Sequence, residues 1–159
     1  MVLKKITVEQ CLTVDINKYI KAGLLHRSCG ELRWCRGEKE IASVSYTLKD
    51  IGFRQREPIY VLTLHPSLFR RGRWVPVTQD IPLLTTELPS RGKRYWFSCP
   101  NCERRVGKLH LPHGGDRFLC RNCYDLTYES CQDSHRFDWF FSQIGIHPSL
   151  GRRLLKNLP

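Results

Sequence analysis

Cys99-Pro100-Asn101-Cys102 and Cys120-Arg121-Asn122-Cys123 are two Cys-x-x-Cys pairs separated by seventeen residues. A Cys-x-x-Cys turn lets two thiolates grip one cation from a tight knuckle, and two knuckles complete a tetrahedral four-sulfur shell. The spacing suits one structural Zn²⁺ held by Cys99, Cys102, Cys120 and Cys123. Iron is chemically possible at the same residues, as is a redox dithiol, but the paired spacing favours zinc. Four sulfur ligands leave no coordination position for water, which argues against zinc-centred catalysis.

Knuckles need strands to hold them. Residues 104–111 read as a strand with Leu109 and Leu111 on one face, Pro112-His113-Gly114-Gly115 supplies a turn, and Asp116-Arg117-Phe118-Leu119 returns to the second knuckle. A third strand is expected over 126–130. The segment therefore reads as a zinc ribbon, with His110 and His113 expected as exposed histidines by the hairpin turn. Cys11, Cys29, Cys35 and Cys131 are expected to be small, partly buried apolar residues kept reduced.

Upstream, Asp15 is placed to cap a short helix through Ile16, Tyr19 and Ile20 that stops at Gly23. Strand-like runs follow at 32–35, 41–48, 59–64 and 74–77. In the second of these, Ala42, Val44, Tyr46 and Leu48 mark one buried face. Residues 81–92 read as a turn-rich link. Beyond the ribbon, Asp133 is expected to begin a helix carrying Phe137, Phe140, Phe141 and Ile144. The expected fold class is β-rich with a minor α component. Residues 1–90 form a short helix plus antiparallel sheet, 91–131 the four-cysteine zinc ribbon, and 132–159 a helical, aromatic and basic tail.

The charge balance narrows the partners. Over 159 residues, 26 Lys and Arg against 15 Asp and Glu give a formal charge of +11, which points to nucleic acid or another polyanion. The excess is spread as +5, +4 and +2 over residues 1–90, 91–131 and 132–159. Four thiolates around Zn²⁺ also subtract about two charges from the ribbon. Local clustering carries more weight. Arg91, Lys93 and Arg94 interleave with Tyr95, Trp96 and Phe97, while Arg104, Arg105, Lys108, Arg117 and Arg121 decorate the ribbon beside Tyr124. Such a surface suits phosphate contacts and base stacking. Arg70, Arg71 and Arg73 next to Trp74 read as an exposed hairpin tip extending it.

The run from Arg94 to Leu109, continued by Arg117 to Ser130 and anchored upstream by Asp15 and Gly23-Leu24-Leu25, resembles a family of small bacterial zinc-ribbon proteins often encoded near mobile elements. The resemblance implies the fold more than an activity. Family members commonly carry Gly after the first knuckle and end in a basic helix. Here Glu103 takes the first position, and Phe137 to Phe141 enter the tail.

The expected function is non-catalytic binding of DNA or RNA, as a small subunit of a larger nucleoprotein complex. The alternative is a protein-interaction adaptor or inhibitor of a nucleic-acid enzyme, anchored by Trp74, Trp139 and Phe140. No catalytic triad spacing, phosphate-binding Gly loop or nucleophile motif is present to suggest an enzyme. No stretch approaches the ~18 apolar residues of a membrane span, and the opening Met1 to Ile6 lacks a secretory apolar core, so no membrane partner and a cytoplasmic location are expected.

Overall fold

The alternation Ala42, Val44, Tyr46, Leu48 places one side of a long strand in the core, where Val44, Tyr46 and Leu48 are buried. The computed structural model describes residues 5–52, 60–70, 72–89, 92–134 and 143. In chain order the elements are β1 (Leu12–Asp15), α1 (Ile16–Lys21), β2 (Cys29–Arg36), β3 (Lys39–Asp50), β4 (Tyr60–His65), β5 (Ser67–Arg70), β6 (Arg73–Pro76), β7 (Gln79–Glu87), β8 (Lys93–Ser98), β9 (Arg105–Val106), β10 (Lys108–Leu111) and α2 (Glu129–Ser134). Strands dominate, and every strand pair is antiparallel. Among the described residues no helix is long and apolar enough to cross a membrane.

One six-stranded sheet, in the order β2-β3-β4-β7-β8-β9, forms the body. It runs without a break from β2 into the first knuckle, because β7 pairs with β8 and β8 with β9. The helix forms as its cap dictates: the Asp15 carboxylate accepts the Asn17 N–H at 2.9 Å, and Gly23 beyond the C-terminus adopts a left-handed φ of 66°. Ile16 and Tyr19 carry the helix into the core.

Four local expectations change. Residues 81–92 are not a turn-rich link, since 79–87 is a central strand. Ile81 and Leu83 are fully buried on either side of Pro82, and that burial outweighs the ladder hydrogen bond proline cannot donate. The strand expected over 104–111 is broken at Gly107. Its first part pairs with β8, while β10 pairs with β1 through Leu12 opposite Leu111 and Val14 opposite Leu109. The return strand is reduced to the single bridge between His110 and Leu119.

The third strand, expected over 126–130, is also absent. Thr127 makes one parallel bridge to Thr7, and Glu129 opens α2 with its N–H donated to the Glu9 carboxylate at 3.1 Å. Here the N-terminal segment takes the hydrogen bonds that a ribbon strand would have used: Val8 N–H donates to the Thr127 carbonyl and Thr127 N–H to the Ile6 carbonyl. Asp133, the expected start of the last helix, lies inside α2, which opens four residues earlier at Glu129, and the expected apolar residues Phe137, Phe140, Phe141 and Ile144 lie outside the described residues, as does Trp139.

A single apolar cluster joins the sheet to the ribbon, running from Val44, Leu62 and Leu83 through Phe97 and Cys99 to Leu109, Phe118 and Cys120. At its centre the Gln79 side chain clamps the backbone of Phe118. Its Nε2 donates to the Phe118 carbonyl at 2.8 Å, and its Oε1 accepts the Phe118 N–H at 2.7 Å, all of it buried. Gln79→Ala would leave two buried backbone groups unpaired and should lower stability by about 2–4 kcal/mol, measured by denaturant unfolding of the metal-loaded protein. A loss below about 0.5 kcal/mol would show that the clamp does not hold the ribbon to the sheet.

Candidate metal centre and basic cleft

The first knuckle is the turn between β8 and β9. It closes through the Cys99 N–H donating to the Arg104 carbonyl at 3.0 Å and the Glu103 N–H donating to the Cys99 carbonyl at 2.8 Å. Reversing the chain this tightly puts Glu103 at a left-handed φ of 56°, which is why glycine suits the position. The second knuckle follows Phe118 and Leu119. Cys123 and Tyr124 N–H groups donate to the Cys120 carbonyl, and Asp125 takes the matching left-handed turn at φ 48°.

The two turns bring all four sulfurs within 4.8 Å of one another, with Cys99 to Cys123 at 3.8 Å, Cys102 to Cys120 at 3.6 Å and Cys120 to Cys123 at 3.5 Å. A regular tetrahedron of metal–sulfur bonds of ~2.3 Å has edges of about 3.8 Å, so the thiols can hold a metal ion, whereas a disulfide would need a separation of about 2 Å. Cys99 and Cys120 are buried. N–H groups also point at the sulfurs, among them the Cys120 backbone at 3.4 Å from Cys99 Sγ and the Asn101 side-chain amide at 3.3 Å from Cys123 Sγ. They offset negative charge on the thiolates.

The thiols differ in acidity. Burial works to raise Cys99, but N–H groups of Asn101, Cys102 and Cys120 aimed at its sulfur outweigh that and bring it down to about 7. Burial pushes Cys120 up to about 12, with the neighbouring thiols adding to the effect. A bound cation resolves this split by stabilising the thiolate at every position.

The remaining cysteines stand apart from the cluster. Cys29, Cys35 and Cys131 are exposed rather than partly buried, and only Cys11 is half-buried. His113 is exposed as expected, but His110 is not. It is 5% exposed on β10, with its Nδ1 2.9 Å from the Thr13 hydroxyl. Burial, with the nearby Lys108 and Arg121 charges, holds its pKa below the usual imidazole value.

A cleft of about 380 Å³ opens beside the metal centre, bordered by Cys120 and Asn122. It gathers Arg104, Arg105, Lys108 and Arg121 around Trp96 and Tyr128. Thr86 fixes one wall by accepting from Trp96 Nε1 at 3.2 Å and Arg105 Nη1 at 3.4 Å. The Arg121 guanidinium lies 5.1 Å above the Tyr128 ring, and Arg94 lies 4.0 Å above Trp96. Lys108 is paired with Asp15 at 3.4 Å, but among the described residues no carboxylate pairs with Arg104, Arg105 or Arg121.

The other candidate residues lie elsewhere. Tyr95 is half-buried and packs on Tyr60, on the face of β8 that carries Phe97 into the core. Tyr124 packs on the core with its hydroxyl donated to the Arg117 carbonyl, and Arg117 itself pairs with Asp116. Lys93 is exposed at the start of β8, and Arg73 is exposed on the separate β5–β6 hairpin. Arg71 and Arg91, and the side chain of Arg70, fall outside what is described. Gln79, Thr86, Trp96 and Tyr128 are the residues that the sequence does not assign to the site. The signal for Gln79 is its place two and four residues before the inward Ile81 and Leu83.

Comparison with known protein families, characterised proteins and solved structures gives no match.

The left-handed turn predicts a test of the first knuckle. Glu103→Gly should keep the metal and raise stability by up to about 1 kcal/mol, whereas the β-branched Glu103→Val should lower it by about 1–2 kcal/mol. Unfolding midpoints of the two variants, which should move in opposite directions, check this.

Proposed function

We propose that the protein is a non-catalytic, zinc-stabilised nucleic-acid-binding protein that works as a small subunit of a larger nucleoprotein complex. Zinc suits four sulfur donors at tetrahedral spacing, and four such donors complete its shell, so its role is to hold the fold. The observation that carries the binding reading is the cleft, where three guanidiniums without carboxylate partners among the described residues converge around two aromatic rings. Phosphate oxygens recruit guanidinium groups, and bases stack on aromatic and guanidinium planes.

The metal and the cleft are linked by construction. Arg104 and Arg105 leave the first knuckle, and Arg121 sits inside the second. A cation joining the knuckles fixes the distance between these charges, so it sets the spacing of the phosphates the cleft can meet. Trp96 and Tyr128 take the stacking role expected of Tyr95 and Tyr124, whose rings are engaged with the core. The adaptor reading keeps one supporting observation, the 69% exposure of Trp74 near the tip of the β5–β6 hairpin.

Changing Arg104 and Arg105 together to Ala should weaken binding by a similar factor on unrelated sequences and reduce the salt slope by roughly 1–2 units, one for each phosphate lost. Metal content should be unchanged. The measurement is a salt series of binding isotherms on duplex DNA, single-stranded DNA and RNA. Absence of wild-type binding to all three at low salt would give the adaptor reading the lead.

A further inference from the structure

The sheet that ends in the first knuckle finishes at its other side in β2, an eight-residue strand with β3 on one flank and no strand of the described residues on the other. An uncovered strand presents unpaired N–H and C=O groups, a template for another strand. The strand is regular along its length, because the irregularity opposite Trp34 and Cys35 places the extra residue, Ile41, on β3. Cys29, Glu31, Arg33 and Cys35 alternate along its outward face and are exposed. Leu32 and Trp34 turn toward the core, and Gly30 lies directly against the Tyr46 ring.

We propose that β2 pairs antiparallel with β2 of a second copy of this chain, with Leu32 opposite Leu32 of the partner subunit. In that register Glu31 faces the partner's Arg33, Arg33 faces the partner's Glu31, and Cys29 faces the partner's Cys35. The strand is thus complementary to itself in charge. Within one chain Glu31 and Arg33 already meet at 2.7 Å, so pairing extends this ion pair into a ladder of four alternating charges.

Neighbouring registers are excluded by the same residues. A slip of one residue sets the outward face of one strand against the inward face of the other. A slip of two brings Glu31 onto the partner's Glu31, or Arg33 onto the partner's Arg33, and like charges directly opposite are destabilising. The two-fold relation makes the contact closed, so it stops at two copies.

Light scattering on the metal-loaded full chain in reducing buffer should give twice the chain mass. Glu31→Arg alone and Arg33→Glu alone should each return the mass to that of one chain, and the double exchange Glu31→Arg with Arg33→Glu should restore the dimer. The register has its own readout: Cα atoms opposite one another in an antiparallel pair are about 4.5–5.5 Å apart, within disulfide range. Mild oxidation with diamide should therefore give a covalent dimer that is lost in Cys29→Ser and also in Cys35→Ser. A wild-type chain that stays monomeric at all concentrations, or a dimer that neither charge reversal disturbs, would overturn the proposal.

Discussion

Four sulfur atoms from two turns seventeen residues apart are held at tetrahedral spacing, and the architecture on both sides of them depends on that closure. The first turn is the end of the main sheet, built on β8 and β9. The second lies beyond β10, which pairs not with the main sheet but with β1. Between 112 and 119 the chain makes one bridge, so strand pairing alone does little to fix the second turn to the first. Four thiolates brought this close repel one another unless a cation lies among them. A single cation bound among them would supply both attraction and geometry between the end of the main sheet and the β1–β10 pair.

Packing and hydrogen bonding reinforce the same junction. Phe118 is fully buried, stacked on Trp34 at 6.1 Å and clamped by Gln79 at its own backbone, and it stands two residues before Cys120. Burial of one such phenyl ring contributes about 1.5–3 kcal/mol. The N-terminal segment closes the far side, where residues 6–9 hydrogen-bond to residues 127–129 and Lys5 meets Asp125 at 2.6 Å. Sheet, N-terminal segment and knuckles thus converge on the chain between 118 and 129, the stretch that also sets Arg121 and Tyr128 at the rim of the basic cleft.

What can be read from the sequence is what depends on local periodicity and local chemistry. The alternating face of β3, the capped helix after Asp15 and the two knuckles each carry their signal within a few residues. What cannot be read depends on partners far away in the chain. Nothing local says that Leu109 and Leu111 pair with Val14 and Leu12, or that a buried glutamine at 79 will satisfy the backbone at 118. Tyr95 and Trp96 illustrate the limit: both are aromatic beside basic residues, and only the face each takes on β8 decides which packs against Tyr60 and which lines the cleft. His110 departs from expectation for the same reason, since its burial comes from a strand almost a hundred positions earlier in the chain.

Metal analysis of the purified full chain, coupled to substitution with Co²⁺, tests the account at its root. One zinc per chain is expected and, on exchange, the intense sulfur-to-cobalt charge-transfer absorption of a tetrahedral four-thiolate site, reduced by Cys120→Ser. A chain that carries no metal yet unfolds at the same denaturant concentration with and without added zinc would contradict it.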